Sequence, residues 1–517
     1  MITETTATID PVLVRFDKVV VMNPPSPPGY VSNKDSMGGF GQLFPLGATL
    51  FPPLDLVYFA SYLVERDIPV VVRECLGLEL TKEASIENLI SEYGERSDLA
   101  PLLIIRTSAP TLDWDLSICS DIKAKIPQME IGIYGPVVLH VIPRIQKEEC
   151  IDYIIPTDPD EVVHELVTNR PKTEIGGLVY RSGKDWSRNA TRPLMKDLDS
   201  LPFPKWELFP FQKYQLPKSS TKSGLESVFL PMLTSRGCPI GCNYCPYPVG
   251  QGLAWRHRSA ENVVDEIEHL VKDLGVGYIL FRDPIFSLNQ NRVIKICQEI
   301  LDRGIEFEWR CETRVDCLNP ETLKMMATAG CSGINFGIES ADIQIQINVG
   351  RKPIAQEQFV QMIALCRELD IKTFSFFIIG LPGDTVQTIL STIKFAIDLN
   401  PNWVQFTAAS PFIGTKLRDW AIAQGFVTED EYAYISSHEV SIANENLSKE
   451  QIQSLLKFAK LIGNYTINRK GILKDDSRLD WQYRAVKAIA DRVSSQIAHS
   501  VFSVGQSYFE KQFKPTT

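Results

Sequence analysis

The 517-residue sequence has no run approaching the roughly 20 apolar residues that a helix needs to cross a bilayer. Its opening residues, MITETTATIDPVLVRFDK, lack the basic segment and apolar stretch of a secretory signal. Positive charge is in short supply: 53 Lys and Arg stand against 63 Asp and Glu, a formal net charge of -10. Gripping nucleic acid or an anionic membrane by bulk charge is therefore disfavoured, and neither nucleic acid nor a membrane span is expected. Histidine is sparse, and the first in the chain is His140. No short internal repeat is visible. Cysteine is better represented, but its count of eleven is odd. Without an export signal, that argues against a disulfide framework and for reduced thiols in the cytoplasm, some of which can hold metal. Hydrophobic residues at 44% and charged residues at 22% are ordinary globular usage, which excludes a disordered chain. At roughly 100–200 residues per domain, the length suits two to four domains.

The first part alternates strand and helix signals. KVVVMNPP, PVVVREC, LLIIRTSAP, EIGIYGPVV and DYIIP are short buried runs. PLDLVYFASYLVERD, a segment through Ile118 and Ile122, and a stretch at about Glu161–Asn169 have helical spacing. That pattern predicts a Rossmann-like parallel sheet over 1–175 with helices on both faces. Ligands of such sheets sit beyond the carboxyl ends of the strands. Those ends carry Asn23-Pro24-Pro25, Arg106-Thr107-Ser108, Gly135-Pro136 and Thr157-Asp158, and a Gly-, Pro- and Ser-rich loop, Ser26 to Pro53, leaves the same edge as if to cover a ligand. GGLVYRSGKDWSRNA reads as a hairpin turning at Ser182-Gly183-Lys184. The following Pro- and aromatic-rich stretch reads as a packed connector, because Phe203, Trp206, Phe209 and Phe211 would otherwise be wet. Hairpin and connector together occupy 176–227.

From Val228 the alternation restarts, with six strand–helix units to about Leu417. The expectation is a partial (β/α)6 barrel over 228–417 with its chemistry at the carboxyl ends of the strands. Residues 418–517 read as a polar, mostly helical region with no assigned chemistry.

The sharpest local signal directly follows the first strand of this second array: S-R-G-C-P-I-G-C-N-Y-C-P-Y-P, with Cys238, Cys242 and Cys245 spaced C-x-x-x-C-x-x-C. Three thiolates on one tight loop can hold three corners of a 4Fe-4S cubane, whereas common electron-transfer clusters take four Cys. The fourth iron stays open for a small molecule. A zinc knuckle using Cys242, Cys245 and His257 is the competing reading, but structural zinc loops come as paired half-sites and no second C-x-x-C exists here. Cys311, Cys331 and Cys366 suit a core.

These cysteines, with Tyr244 before the last of them, resemble the signature of the radical S-adenosylmethionine (SAM) superfamily. Further stretches resemble its later motifs in order: F-R-D-P-I-F at Phe281–Phe286, Glu312 and Arg314 in W-R-C-E-T-R-V-D, G-I-E-S at Gly337–Ser340, G-L-P-G-D-T at Gly380–Thr385 and S-P-F-I-G-T at Ser410–Thr415. The resemblance implies a 4Fe-4S cluster on Cys238, Cys242 and Cys245 that reductively cleaves SAM to a 5′-deoxyadenosyl radical, with an external donor such as flavodoxin or ferredoxin. It places Phe281 and Asp283 near the methionyl amino group and Glu339 and Ser340 at the ribose. Gly380, Leu381 and Pro382 fall at the adenine edge. A guanidinium suits the SAM carboxylate, which makes Arg314 its candidate partner. The bland alternatives pair Glu339 with Arg351 or Lys352, and Arg314 with Glu312.

The front domain with its L-P-F-P connector (Leu201–Pro204) resembles the N-terminal half of a radical SAM subgroup with a cobalamin-binding-type domain. That subgroup includes natural-product (class B) methyltransferases and the anaerobic ring-forming enzyme of bacteriochlorophyll synthesis. Asn23, Ser108 and Gly135 are the candidate cobalamin contacts. The D-x-H-x-x-G motif that supplies an imidazole to cobalt is absent, so cobalamin would lack a His ligand from the first loop. The alternative is a front domain that keeps the fold and binds a substrate, a leader peptide or nothing. The expected reaction is methylation of an unactivated carbon in a small-molecule or peptide substrate. A cobalamin-independent epimerase, cyclase or rearrangement enzyme, with Cys317 as hydrogen-atom donor, stands beside it. So does an inactive cluster-bearing binding protein.

Overall fold

The computed structural model describes residues 16–94, 101–156, 158–216, 221–222, 227–429, 439–464 and 495–512. Thr157, one of the expected strand-end residues, and much of the expected helical tail lie outside them. Among the described residues no helix is long and apolar enough to cross a membrane. The chain divides into two compact units.

The front unit comprises 16–28, 55–195 and 201–210 among the described residues. Its first strand, β1 (Val19–Asn23), is buried along its whole length, as a β-branched run covered on both faces must be. The chain then leaves through a hairpin, β2 (Tyr30–Asn33) and β3 (Gln42–Pro45), which belongs to the second unit. It returns for β4 (Val70–Glu74), β5 (Leu102–Arg106), β6 (Glu130–Tyr134) and β7 (Tyr153–Ile155). These five are parallel in the order β4-β1-β5-β6-β7. The order reverses between β1 and β5, the place where doubly wound sheets open a crevice. The expected hairpin, β8 (Val179–Ser182) and β9 (Asp185–Arg188), extends the sheet antiparallel to β7. In the connector Trp206, Phe209 and Phe211 are buried, as their size demands.

Among the described residues the second unit holds 29–54, 196–200, 211–216, 221–222, 227–429, 439–464 and 495–512. A short antiparallel strand, β10 (Gln215–Leu216), flanks β11 (Ser227–Met232). After a two-residue ribbon of β12 (Ser235–Arg236) and β13 (Arg256–His257) come β14 (Tyr278–Phe281), β15 (Glu308–Thr313), β16 (Cys331–Glu339), β17 (Lys372–Ile379) and β18 (Trp403–Ala408). β11 and β14–β18 form six consecutive parallel strands, the expected partial barrel. Alternation along β15 sets the two faces. Trp309, Cys311 and Thr313 are buried, and the Trp309 indole donates to Ala329 O just beyond the helix Pro320–Thr328 (2.7 Å). Arg310 and Glu312 point to the opposite, concave face. Helix Lys449–Ile462 lies on β17 and β18.

Candidate functional site

The cysteine loop is rooted at both ends. The β12–β13 ribbon closes its base, and a Cβ at Gly237 (φ +87°) would lie 2.2 Å from Ala254 O, so only glycine lets the loop fold there. Asn243 pins the middle: its N–H donates to Val349 O (2.8 Å), and its carbonyl accepts from Leu417 N (2.9 Å). Cys238, Cys242 and Cys245 are free thiols. Burial pushes Cys238 and Cys245 up. Backbone N–H groups of Ile240 and Gly241 oppose this at Cys238, and that of Tyr247 does so at Cys245. Such donors stabilise a metal-bound thiolate. Among the described residues no three His, Cys, Asp or Glu side chains converge as a single metal ion requires. A cubane, by contrast, presents its irons at separate corners. His257, proposed for the zinc alternative, instead places Nδ1 3.1 Å from Arg258 O.

Behind the loop, Tyr244 packs among Ile345, Val349, Leu381 and Leu417. Its hydroxyl accepts from Arg351 Nη1 (3.2 Å), which also meets Glu339 Oε1 (3.4 Å). Arg351 further donates to Gly337 O. Glu339 sits in the left-handed region (φ +68°) after a register shift between β16 and β17, a conformation that costs a non-glycine residue roughly 1–3 kcal/mol. A Cβ at Gly337 would lie 2.6 Å from Glu339 Oε1, so the glycine makes room for the folded-back carboxylate. Burial raises the Glu339 carboxyl, against Arg351 and Tyr244. The pairing of Glu339 with Arg351 is present; Lys352 turns instead to Asp316 (3.6 Å).

The other strand ends divide into braces and open groups. Phe281 stacks on Phe286 (4.7 Å) and meets Trp309 (5.3 Å) in the core. Asp283 accepts from Thr234 N (2.8 Å), Thr234 Oγ1 (2.6 Å) and Ser235 Oγ, tying the root of the cysteine loop to β14. Glu312 pairs with Arg282 (2.6 Å) and accepts from the Tyr247 hydroxyl (3.4 Å). Arg314 does not pair with Glu312, because Glu312 already has Arg282. It forks onto Asp316 instead (2.9 and 3.0 Å). Its Nη1 is buried without a partner among the described residues, and its charge reaches Cys238. Cys317 lies half-buried past the end of β15, with Sγ 4.0 Å from Asp316 Oδ1; burial and that carboxylate push the thiol up. Ser340 Oγ lies 3.3 Å from Thr392 Oγ1 and accepts from Asp342 N.

The G-L-P-G-D-T loop wraps the Asp384 carboxylate. Oδ2 accepts from Gly380 N and Leu381 N (3.0 Å each), and Oδ1 accepts from Thr388 Oγ1 (2.7 Å). Burial raises Asp384 to about 7. Pro382 and Gly383 of the turn are partly exposed, while Leu381 is buried. The region beyond 417, assigned no chemistry from the sequence, clamps this loop. Asn444 Nδ2 donates to Leu381 O (3.0 Å) and Asp384 O (3.1 Å), and Asn446 Nδ2 donates to Gly383 O (3.1 Å).

In the front unit, Asn23 Nδ2 donates to Glu74 Oε1 (2.6 Å), and its Oδ1 is buried without a partner among the described residues. Ser108 Oγ lies 2.8 Å from Thr111 Oγ1, which with Thr107 Oγ1 donates to Asp115 (2.7 and 2.8 Å). Gly135 (φ +151°) lets β6 end against β5: a Cβ there would lie 2.3 Å from Thr107 O. The loop read as a cover for this edge belongs from residue 29 to 54 to the second unit, where Arg282 Nη2 donates to Asp35 O (3.3 Å) and Gly38 faces the Tyr247 ring.

Compared with known proteins, residues 232–396 match the Radical SAM superfamily. This stretch is a radical SAM domain. An uncharacterized methyltransferase of Pyrococcus horikoshii is 29% identical over 433 residues, which cover 83% of this chain and 90% of that protein. The anaerobic magnesium-protoporphyrin IX monomethyl ester cyclase of Cereibacter sphaeroides is 27% identical over 346 residues, 63% of this chain and 54% of its own length. Among solved structures, the radical SAM methyltransferase TsrM from Kitasatospora setae, with cobalamin and a 4Fe-4S cluster bound, has a TM-score of 0.60 at 17% identity, covering 79% of this chain and 75% of that one. The cobalamin-dependent SAM radical enzyme OxsB, with aqua-cobalamin bound, has a TM-score of 0.69 at 14% identity, covering 94% and 72%. At such identities the likeness is one of fold.

The donor set of the radical SAM domain fits its cofactors. Three free thiols, two of them with backbone donors aimed at sulfur, suit a cluster with one open iron, and the unpartnered Arg314 Nη1 suits a carboxylate beside it. The sequence offered Arg351 only as a partner for Glu339, and gave no role to Arg282, Tyr247 or Asp316. An arginine at the mouth of an apolar strand was the visible signal for Arg282; nothing local distinguishes Asn444 or Asn446.

Proposed function

We propose that this chain is a radical SAM enzyme that methylates an unactivated carbon of a small molecule or peptide, with cobalamin in its front unit. When bound, the 4Fe-4S cluster supplies the electron that fragments SAM, and cobalamin supplies a carrier for the methyl group. Cys238, Cys242 and Cys245 hold iron on a loop whose root is fixed by Asp283 and whose middle is fixed by Asn243. Arg314, oriented by Asp316, takes the SAM carboxylate through its remaining nitrogen. Glu339, held back by Arg351, faces the ribose with Ser340, and Gly380, Leu381 and Pro382 line the adenine. Tyr244 seals the loop from water. In the front unit the site is the strand-order reversal between β1 and β5, where the lone Asn23 Oδ1 suits an amide donor of the corrin rim. The cobalamin-bound neighbours TsrM and OxsB support that placement. An external donor such as flavodoxin or ferredoxin supplies the electron.

The reading rests chiefly on the three-thiol loop inside a radical SAM domain. Its test is the absorption spectrum of protein made without oxygen and with cobalamin supplied, joined to chromatography for 5′-deoxyadenosine after reduction. Iron, corrin bands and 5′-deoxyadenosine together are the expected result, and protein without iron overturns it. Cluster without corrin favours a second reading, cobalamin-independent radical chemistry with Cys317 as hydrogen-atom donor. The half-buried position of that thiol at the exit of β15 supports it. Cys317→Ala would then lose product while 5′-deoxyadenosine persists.

A further inference from the structure

We infer that the concave face of the barrel takes an acidic substrate, whose carboxylate meets Arg310 and whose apolar or aromatic body lies against Phe374 and Trp403. This rests on the radical SAM reading and adds the substrate class to it. Three arginines around the cysteine loop each face a carboxylate: Arg282 meets Glu312, Arg314 meets Asp316 and Arg351 meets Glu339. Arg310 is different. It sits on the concave face of β15, only partly exposed, and among the described residues no hydrogen bond or ion pair reaches its guanidinium. Its Nε is buried without a partner. The guanidinium lies over the Phe374 ring instead (4.6 Å).

That posture is built into the sheet. Between β15 and β17 the chain places Gly333, where a Cβ would lie 3.1 Å from Arg310 Cδ and 3.3 Å from Phe374 Cε2. A side chain there would lift the arginine off the ring. Asn335, one step along the same face of β16, has its Oδ1 buried without a partner. In register beside it come Phe374 and then Trp403. A half-buried guanidinium without a hydrogen-bonded partner is costly, and its planar fork matches a carboxylate in two parallel hydrogen bonds. Asn335 Oδ1 accepts an N–H or O–H of the same molecule. The aromatic wall takes the rest.

Equilibrium dialysis of anaerobically reconstituted protein against cinnamate and its uncharged analogue cinnamamide tests this. Wild-type protein should bind cinnamate at least about tenfold more tightly than cinnamamide, a difference of roughly 1.4 kcal/mol. Arg310→Met should erase the preference, and Arg310→Lys should keep part of it. Equal binding of the two probes by wild-type protein overturns the inference, as does a preference that survives Arg310→Met. Should Arg310→Met fail to fold, the wild-type comparison still decides. 5′-Deoxyadenosine release is measured on the same wild-type preparation. Release without a carboxylate preference overturns the substrate class alone, whereas no release overturns the radical SAM reading.

Discussion

The two parallel sheets of this chain differ in what their carboxyl ends leave open. In the front unit, Ser108 is bonded to Thr111, Gly135 is pressed on Thr107 O, and Asn23 is tied to Glu74, leaving one oxygen over. In the radical SAM domain some strand ends are equally committed, Asp283 above all, but their commitment holds other groups in place. Three thiols and one arm of Arg314 stay available. The same α/β architecture therefore yields a braced edge in one unit and a loaded one in the other. The distinction lies in whether buried polar groups satisfy each other or satisfy the frame around an open group.

The comparison breaks most sharply at the cysteines. Replacing Cys238, Cys242 and Cys245 together by serine should remove iron and reduce 5′-deoxyadenosine to background, while circular dichroism keeps the wild-type spectrum. Full turnover in that variant would end the argument. Gly337→Ala comes next. A methyl group 2.6 Å from Glu339 Oε1 must displace the carboxylate, and SAM affinity measured by dialysis should fall by about tenfold, or roughly 1.4 kcal/mol. Arg314→Lys keeps the charge but loses the fork to Asp316. A several-fold rise in KM for SAM with little change in kcat should follow, because Lys cannot hold Asp316 and a ligand in one plane.

Asp384 separates frame from chemistry by pH. Its folded-state value of about 7 lies above the usual carboxylate range because of burial. Between that range and about pH 7 the native protein keeps a proton that the unfolded chain has released. Its contribution is therefore complete at low pH and is lost as pH rises through about 7, with a slope of at most about 1.4 kcal/mol per pH unit. Asp384→Asn should flatten the pH dependence of the urea midpoint across this window. An unchanged slope would mean that the carboxylate is ionised throughout.

How far this was legible beforehand follows from the kind of signal. The five front strands and six barrel strands could be read because β-branched runs alternate with amphipathic helices. The cysteine loop was read from spacing alone. Of the pairings only Glu339 with Arg351 was legible; Arg314 with Asp316 across one turn, or Arg351 with Tyr244 across 107 positions, depends on where strands end in space. The residue 29–54 segment reads locally as a loop off the front sheet, yet its hairpin and Asp35 belong to the barrel unit. Asn444 and Asn446 hold the G-L-P-G-D-T turn from 60 or more residues away, and nothing in their neighbours marks them.

The smallest effect tests the braced edge itself. Ser108 is fully buried, with its hydroxyl facing Thr111, which in turn serves Asp115 beside Thr107. Ser108→Ala removes one hydrogen-bonding group from a network whose remaining members still reach the Asp115 carboxylate. It should cost about 1 kcal/mol in urea-induced unfolding and leave both corrin content and 5′-deoxyadenosine release at wild-type levels. The reverse pattern, lost corrin with unchanged stability, would show that Ser108 faces a ligand rather than its own sheet. The front edge would then be as loaded as the barrel's, and the contrast between the two units would fall.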